Sequence, residues 1–317
     1  MLGRHTPMII PGRQRRGFTL IELLVVIAII GLLMGMLVPA LSGARQRGIG
    51  AKCAAQLRGL GQGLTMYAFQ HRDVLVPGRL PKVDNDNWYS DIKGGRKYRP
   101  TYLAMMGSNI GVQPFDDPAP SRNTIDRFGQ RGDRQDYSNA FFVCPKTADW
   151  TDERNGSYGY NYQFLGNSRL LDAGDIHSFK NWPVIATRIR DPAGTIAVAD
   201  CMGTAASYAP RERVIYDNNS RMLRRFGNEG FNLDPPRVDP GNGEMAGFTS
   251  SPQARSAADP RHLGRASTLF VDGHTESLTL EQMGYELLPD GTIGLDGNNT
   301  MWSGKRTDVA WTPGYEL

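Results

Sequence analysis

The chain has 317 residues, of which 36 are Lys or Arg, 32 are Asp or Glu, 37 are Gly and 20 are Pro. Turn-forming residues spread through its length argue against a purely helical bundle and favour a loop-rich domain that contains β-strands. The basic excess does not indicate nucleic-acid binding. Four arginines and no acid lie in residues 1–17, so the rest of the chain carries 32 basic and 32 acidic side chains.

An apolar run occupies residues 18–38, and Glu22 is its one ionisable side chain. As a helix the run would extend about 32 Å, which is enough to cross a bilayer. A cleaved signal peptide has a shorter apolar region of roughly 7 to 15 residues, without a carboxylate near its start. A plain membrane anchor explains the run, but not Glu22 or the Gly17–Phe18 junction.

Residues 17–31 read GFTLIELLVVIAIIG and resemble the signal of type IV prepilins and type II secretion pseudopilins. The resemblance implies that prepilin peptidase removes a leader ending at Gly17 and that the new N-terminus, Phe18, is N-methylated. It also implies that Glu22 pairs with the Phe18 ammonium of a neighbouring subunit. Such a buried charge pair would favour the correct axial register during assembly.

The helical pattern resumes after Pro39, where one apolar stripe repeats at steps of four and three. We expect a single helix of about fifty residues whose second half packs on a globular domain. The stripe consists of Cys53, Leu57, Leu60, Leu64, Tyr67 and His71.

Residues 76–136 lack periodicity and read as loops, with a short helix predicted around 102–107. Strands are predicted at 141–145, 157–162, 195–200 and 267–271. Asp272–Gly273 after the last of these predicts a hairpin with a two-residue type I′ turn. The sequence therefore predicts an antiparallel sheet packed against the long helix.

His262, nine intervening residues and Asp272–Gly273 resemble the H-x9-DG C-terminal signature of a large group of prepilin-type proteins. His262, Asp272 and His274 are weak candidates for metal ligands, because turn chemistry already explains Asp272–Gly273 and no fourth ligand is evident. No hydrolase, metalloprotease or phosphate-loop motif occurs in the sequence. We therefore predict no metal, no cofactor, no catalytic residue and no enzymatic activity.

The three cysteines are Cys53, Cys144 and Cys201. We expect the globular part outside the cytoplasm, where disulfides persist, and the Cys53 stripe facing the sheet that would contain Cys144. We predict a Cys53–Cys144 disulfide that ties the helix to the domain. Cys201 then remains a buried small apolar residue or takes the place of Cys144.

The predicted fold is α+β and pilin-like, with a long N-terminal helix on a C-terminal antiparallel sheet with long loops. The predicted segments are a leader (1–17), a transmembrane and assembly segment (18–41), an amphipathic helical segment (42–72) and an extracytoplasmic β-rich domain (73–317). The arginines of the leader would hold the N-terminus in the cytoplasm, so the chain would cross the inner membrane once and place its domain in the periplasm or outside the cell.

The predicted function is that of a structural subunit of a type IV pilus or a type II secretion pseudopilus. Its expected partners are prepilin peptidase, other pilin or pseudopilin subunits and the inner membrane, with no nucleic acid and no small-molecule substrate. The alternative is a membrane-anchored extracytoplasmic binding or surface protein that carries the same processing signal and never polymerises.

Overall fold

The computed structural model describes residues 19–80, 89–118, 135–147, 153, 157–170, 179–213, 230–237 and 255–309. The chain forms two compact units, Met1–Gln46 and Arg47–Leu317. In the described residues the α-helices are α1 (Leu20–Gln70), α2 (Tyr102–Asn109) and α3 (Tyr162–Leu165). The strands are β1 (Tyr89–Ile92), β2 (Gly95–Tyr98), β3 (Tyr158–Tyr160), β4 (Asn167–Leu170), β5 (Phe179–Trp182), β6 (Ile196–Gly203), β7 (Ala257–Ala258), β8 (Ala266–Phe270), β9 (Thr275–Leu278), β10 (Tyr285–Leu287) and β11 (Ile293–Gly297).

Helix α1 is continuous over 51 residues and contains Pro39, which confirms the predicted single long helix. It begins with a capping box. The backbone N–H of Glu22 donates to the Thr19 hydroxyl at 3.3 Å, and the backbone N–H of Thr19 donates to the Glu22 carboxylate at 2.9 Å. These reciprocal bonds satisfy amides that have no partner in the first helical turn.

The second half of α1, residues 47–70, packs through the predicted stripe. The stripe is buried at Cys53, Leu57, Leu60 and Leu64, each at most 1% exposed. His71 was predicted to continue it, and this is wrong: the helix ends at Gln70, and the exposed His71 ring stacks on Tyr67 instead, with ring centroids 3.8 Å apart. Opposite the stripe, Lys52, Arg58 and Gln62 are exposed, as an amphipathic helix requires.

The main sheet is antiparallel, with the order β3-β6-β8-β9 and with β7 paired to β6. Both central strands, β6 and β8, are buried along their whole length. One apolar core joins a face of this sheet to the second half of α1. A second core lies around Trp302, whose indole N–H donates to the Met283 carbonyl at 2.7 Å. This architecture confirms the α+β, pilin-like prediction.

Glycine lets α1 approach its neighbours closely. A Cβ on Gly61 would lie 2.8 Å from the Leu269 side chain and 3.0 Å from Gly273 Cα, so the helix rests directly on the β8–β9 hairpin. A Cβ on Gly63 would lie 2.4 Å from the Met106 carbonyl oxygen of α2. Real Cβ atoms do not approach that closely, so glycine is required there by packing.

Three of the predicted strands are confirmed as β3, β6 and β8, and the predicted short helix is α2. The strand predicted at 141–145 is wrong. Ala140–Phe142 forms a 3-10 helix, because the Asn139 side chain accepts the backbone N–H of Phe141 at 2.9 Å and caps a tight turn. Propensity alone does not detect this local competition.

The predicted hairpin joins β8 and β9, but with a different turn. Gly273 has φ +93°, whereas Asp272 is not among the described non-glycine residues with positive φ, so the turn is not type I′. The N–H of Gly273 donates to the Phe270 carbonyl, and the N–H of Phe270 donates to the His274 carbonyl. These bonds define a three-residue loop that ends in a left-handed glycine.

Candidate functional site

The first half of α1, residues 20–46, is the first candidate site, because its apolar surface has no cover. Every large apolar side chain from Leu20 to Leu41 is between 44% and 84% exposed. Among the described residues, α1 is the helix that is long enough and apolar enough to span a membrane. Monomeric soluble proteins rarely expose a contiguous apolar surface of that extent. The surface therefore requires a membrane or another protein around it.

Of the three residues predicted to carry processing and assembly, the structure describes Glu22. Its carboxylate accepts the Thr19 hydroxyl at 2.8 Å in addition to the Thr19 amide. The sequence prediction missed this capping role, although the T-x-x-E pattern at 19–22 is its usual signal. Gly17 and Phe18 lie outside the described residues.

A second candidate site lies inside the globular unit, where four ligand-type side chains converge. Cys53 comes from α1, Cys144 from the segment before β3, Asp200 from β6 and His262 from the turn before β8. Their sulfur, oxygen and nitrogen atoms all lie within 4.8 Å of one another. The first three side chains are fully buried, and His262 is 7% exposed. We call this group the Cys-Asp-His cluster.

The contacts inside the Cys-Asp-His cluster are short. His262 Nε2 lies 3.2 Å from Cys144 Sγ and 3.3 Å from an Asp200 carboxylate oxygen. The Cys53 thiol donates to the other Asp200 oxygen at 3.5 Å. Ser267, which is not a member of the cluster, also binds this carboxylate. Its backbone N–H donates to Asp200 at 2.8 Å.

Surrounding polar groups fix the two thiols. The Cys144 backbone N–H donates to the Ser157 hydroxyl at 2.6 Å. Cys53 Sγ lies 3.3 Å from the Tyr158 hydroxyl, which donates to the Gln56 side chain at 3.0 Å. These contacts join α1 to β3 and its preceding segment.

The contacts within the cluster shift the pKa values of its own side chains. Interactions with Cys53 and His262 lower the pKa of the Cys144 thiol, although burial alone would raise it. The interaction with Cys144 and burial raise the pKa of the Cys53 thiol. Burial opposes an imidazolium, but hydrogen bonds to Asp200 and Cys144 raise the pKa of His262 to about 9.

Arg261 supplies a positive charge at the edge of the cluster. Its guanidinium lies 4.0 Å from the Asp200 carboxylate and 2.8 Å from the Asp259 carboxylate. Burial opposes the charge, but Asp259 and Asp200 outweigh it and raise the pKa of Arg261. His262 likewise holds the pKa of Asp200 below its usual value despite nearly complete burial.

The geometry does not form a nucleophilic triad. In such a triad, the nucleophile and the carboxylate contact opposite nitrogens of the imidazole. Here Cys144 and Asp200 both face Nε2 of His262, and the Cys144 thiol is fully buried from any substrate. Convergence on one nitrogen suits a bound ion or a buried polar network, but not proton relay.

The predicted metal candidates separate in the structure. The Asp272 carboxylate accepts the His274 ring Nδ1 at 2.6 Å, on the exposed β8–β9 turn. That turn lies over Gly61, whereas His262 lies over Gly50, eleven residues earlier on α1 and so about 16 Å away along the helix. Within the described part of the chain, His262 joins two cysteines and Asp200.

The structure places Cys53 and Cys144 in one cluster, although Cys144 lies before β3 and not in the sheet, and holds all three cysteines as free buried thiols. The disulfide itself therefore stays a prediction. Cys201 lies in the second core, where its thiol donates to the Asn232 carbonyl at 3.3 Å. Sequence reasoning missed Asp200. The signal was a carboxylate at the end of the apolar run 196–199.

Comparison with known proteins gives a family-model match and a curated relative. The prokaryotic N-terminal methylation motif matches residues 12–38, a span that contains Gly17, Phe18 and Glu22. The type II secretion system core protein G of Pectobacterium carotovorum subsp. carotovorum is 39% identical over 126 residues, which cover 40% of this chain and 67% of that protein. No solved structure gives a significant match.

The motif and the exposed apolar helix together indicate a single-pass membrane anchor. The two matched groups consist of structural subunits and not of enzymes, in line with the absence of a catalytic motif from the sequence. The chain belongs to the pilin and pseudopilin family.

Proposed function

We propose that the chain is a precursor that prepilin peptidase cleaves between Gly17 and Phe18 and that assembles, after N-methylation of Phe18, into a type IV pilus or a type II secretion pseudopilus. In this proposal the residues 18–41 form the helical centre of the fibre. The leader arginines keep the N-terminus in the cytoplasm, and the domain lies in the periplasm or on the surface. Its partners are the peptidase, the inner membrane and other pilin or pseudopilin subunits.

The observation that carries this proposal is the exposure of every large apolar side chain in the first half of α1. A single anchor helix is covered by lipid. A fibre subunit must leave the lipid, so the same side chains need a protein surface of equal apolar character. The run of exposed Leu, Ile, Val and Met from Leu20 to Leu41 supplies such a surface to neighbouring copies.

Glu22 and the Phe18 ammonium supply the proposed register. A carboxylate within the apolar helix is costly unless it is paired. Within one chain Glu22 is already bonded to Thr19, but a carboxylate has about four lone-pair sites. It can therefore cap its own helix and still accept a neighbouring ammonium.

A second candidate function is a membrane-anchored surface or binding protein that does not polymerise. The capping box favours it, because helix capping alone accounts for an acidic residue at position 22. The large globular unit suits either function. Membership of the H-x9-DG group is likewise proposed from His262 and Asp272–Gly273 and separates neither function from the other.

Replacement of Glu22 by Gln and by Ala distinguishes the two functions. Gln preserves the capping box, because an amide oxygen still accepts the Thr19 amide, but it removes the negative charge. Ala removes both. We expect wild-type chain in fibres sheared from the cell surface, and loss of both variants from the fibres with leader cleavage unchanged. Incorporation of Glu22→Gln at the wild-type level would show that the charge does not set register, and absence of the wild-type chain from any fibre would favour the anchor.

A further inference from the structure

We propose that the Cys-Asp-His cluster is a structural zinc site that fastens α1 to the main sheet. Cys53, Cys144, Asp200 and His262 would each supply one ligand atom. The site is independent of the proposed fibre function, since it lies wholly within the unit Arg47–Leu317.

The donor set fits zinc. Structural zinc sites hold four ligands from Cys, His and Asp or Glu in a tetrahedron, and thiolate ligands disfavour calcium and magnesium. The four residues come from four separate elements, so their convergence is a property of the fold. Each of them is at most 7% exposed, so the site has no open position for substrate and is closed, as structural sites are.

The distances fit a tetrahedron of that size. Bonds of about 2.0 Å to nitrogen and oxygen and about 2.3 Å to sulfur place neighbouring ligand atoms about 3.3 to 3.8 Å apart. Cys144 Sγ and His262 Nε2 lie 3.2 Å apart. The Asp200 oxygen that faces His262 lies 3.3 Å from Nε2 and 3.8 Å from Cys53 Sγ. All remaining pairs lie within 4.8 Å, so modest movement closes the tetrahedron.

The charges also balance. Two thiolates and a carboxylate around one Zn²⁺ leave one net negative charge, with the imidazole neutral. Arg261, 4.0 Å from Asp200, offsets that charge. Zinc binds thiolates and a neutral imidazole, so binding releases the protons that these groups carry and the apparent affinity rises with pH.

A Cys53–Cys144 disulfide is the competing state, because it consumes both sulfur ligands. A disulfide uses only the two cysteines and gives no role to the buried Asp200 carboxylate or to the imidazole that faces it. Zinc accounts for all four side chains at once.

The test uses the full chain, purified in detergent without a polyhistidine tag, with its metal content measured by elemental mass spectrometry. We expect about one zinc per wild-type chain. In Cys144→Ser and His262→Gln the zinc content should fall to about a tenth of that value or less. Cys201→Ser is the matched control. It removes a buried thiol from β6, the strand that also carries Asp200, but this thiol lies in the second core. The variant should retain the metal.

Cobalt provides a readout that does not depend on the folding of the variants. Addition of Co²⁺ to the reduced, metal-free wild-type chain should produce sulfur-to-cobalt charge-transfer absorption and the intense visible bands of a tetrahedral site. The proposal would be overturned by a Cys53–Cys144 disulfide found by non-reducing peptide mapping of thiol-blocked native membranes, or by reduced thiols that bind neither zinc nor cobalt. Zinc retained in a folded Cys144→Ser chain would also overturn it.

Discussion

The two halves of α1 carry similar apolar side chains but lie in opposite surroundings. In residues 20–46 the large apolar side chains are exposed, and a Cβ added at Gly31, Gly35 or Gly43 would meet nothing within 4 Å. In residues 47–70 the apolar stripe is buried, and a Cβ at Gly61 or Gly63 would collide with the hairpin or with α2. The presence of large apolar side chains alone therefore does not distinguish a half that completes its own domain from a half that needs partners.

The largest expected difference between the halves follows truncation of a leucine. Leu60→Ala removes a fully buried side chain and should lower the free energy of unfolding by about 2 to 5 kcal/mol. Leu33→Ala removes a side chain that is 54% exposed and should change it by less than about 0.5 kcal/mol. Denaturant unfolding of the full chain in detergent, followed by tryptophan fluorescence to which the buried Trp302 contributes, measures both. Equal losses would contradict the comparison.

A smaller difference is expected for the glycines. Gly63→Ala should destabilise the domain by about 1 to 3 kcal/mol, because the new methyl group meets the backbone of Met106. Gly43→Ala has open space and should be neutral, or should stabilise the helix by up to about 1 kcal/mol. The same unfolding measurement separates them. A stabilising Gly63→Ala would show that α1 and α2 can move apart at little cost.

The smallest effect is expected at the start of the exposed half. Thr19→Ala removes the hydroxyl that accepts the Glu22 amide, and Glu22→Gln preserves the reciprocal bond. Hydrogen exchange of the first-turn amides in micelles should be roughly two- to fivefold faster in Thr19→Ala. Glu22→Gln serves as the control and should exchange near the wild-type rate. An unchanged rate in Thr19→Ala would remove the cap as an explanation for Glu22.

Much of the fold could be predicted, because its signals are local. The length of α1 and its stripe from Cys53 to Leu64 follow from helical periodicity, and β6 and β8 follow from short apolar runs. The errors are local as well. The strand expected at 141–145 became a capped 3-10 turn through Asn139, and the hairpin needed one residue more than its Asp-Gly pair suggested.

The Cys-Asp-His cluster could be predicted only in part. Placing the stripe against the sheet predicts that Cys53 faces the domain. The H-x9-DG pattern groups His262 with Asp272 and His274, and no sequence signal joins Asp200 to the cysteines. Residues 53, 144, 200 and 262 share no spacing motif. They come together only because α1 packs on β6, on the segment before β3 and on the turn before β8.

The most direct test of the central claim is whether the exposed half of α1 contacts other copies of the chain. A photo-crosslinking amino acid at Leu33, irradiated in cells, should give adducts of the chain with itself. These adducts should disappear in an uncleavable Gly17→Glu precursor. A processed, membrane-inserted chain that gives adducts with lipid but none with another subunit would contradict the claim that this surface is covered by assembly.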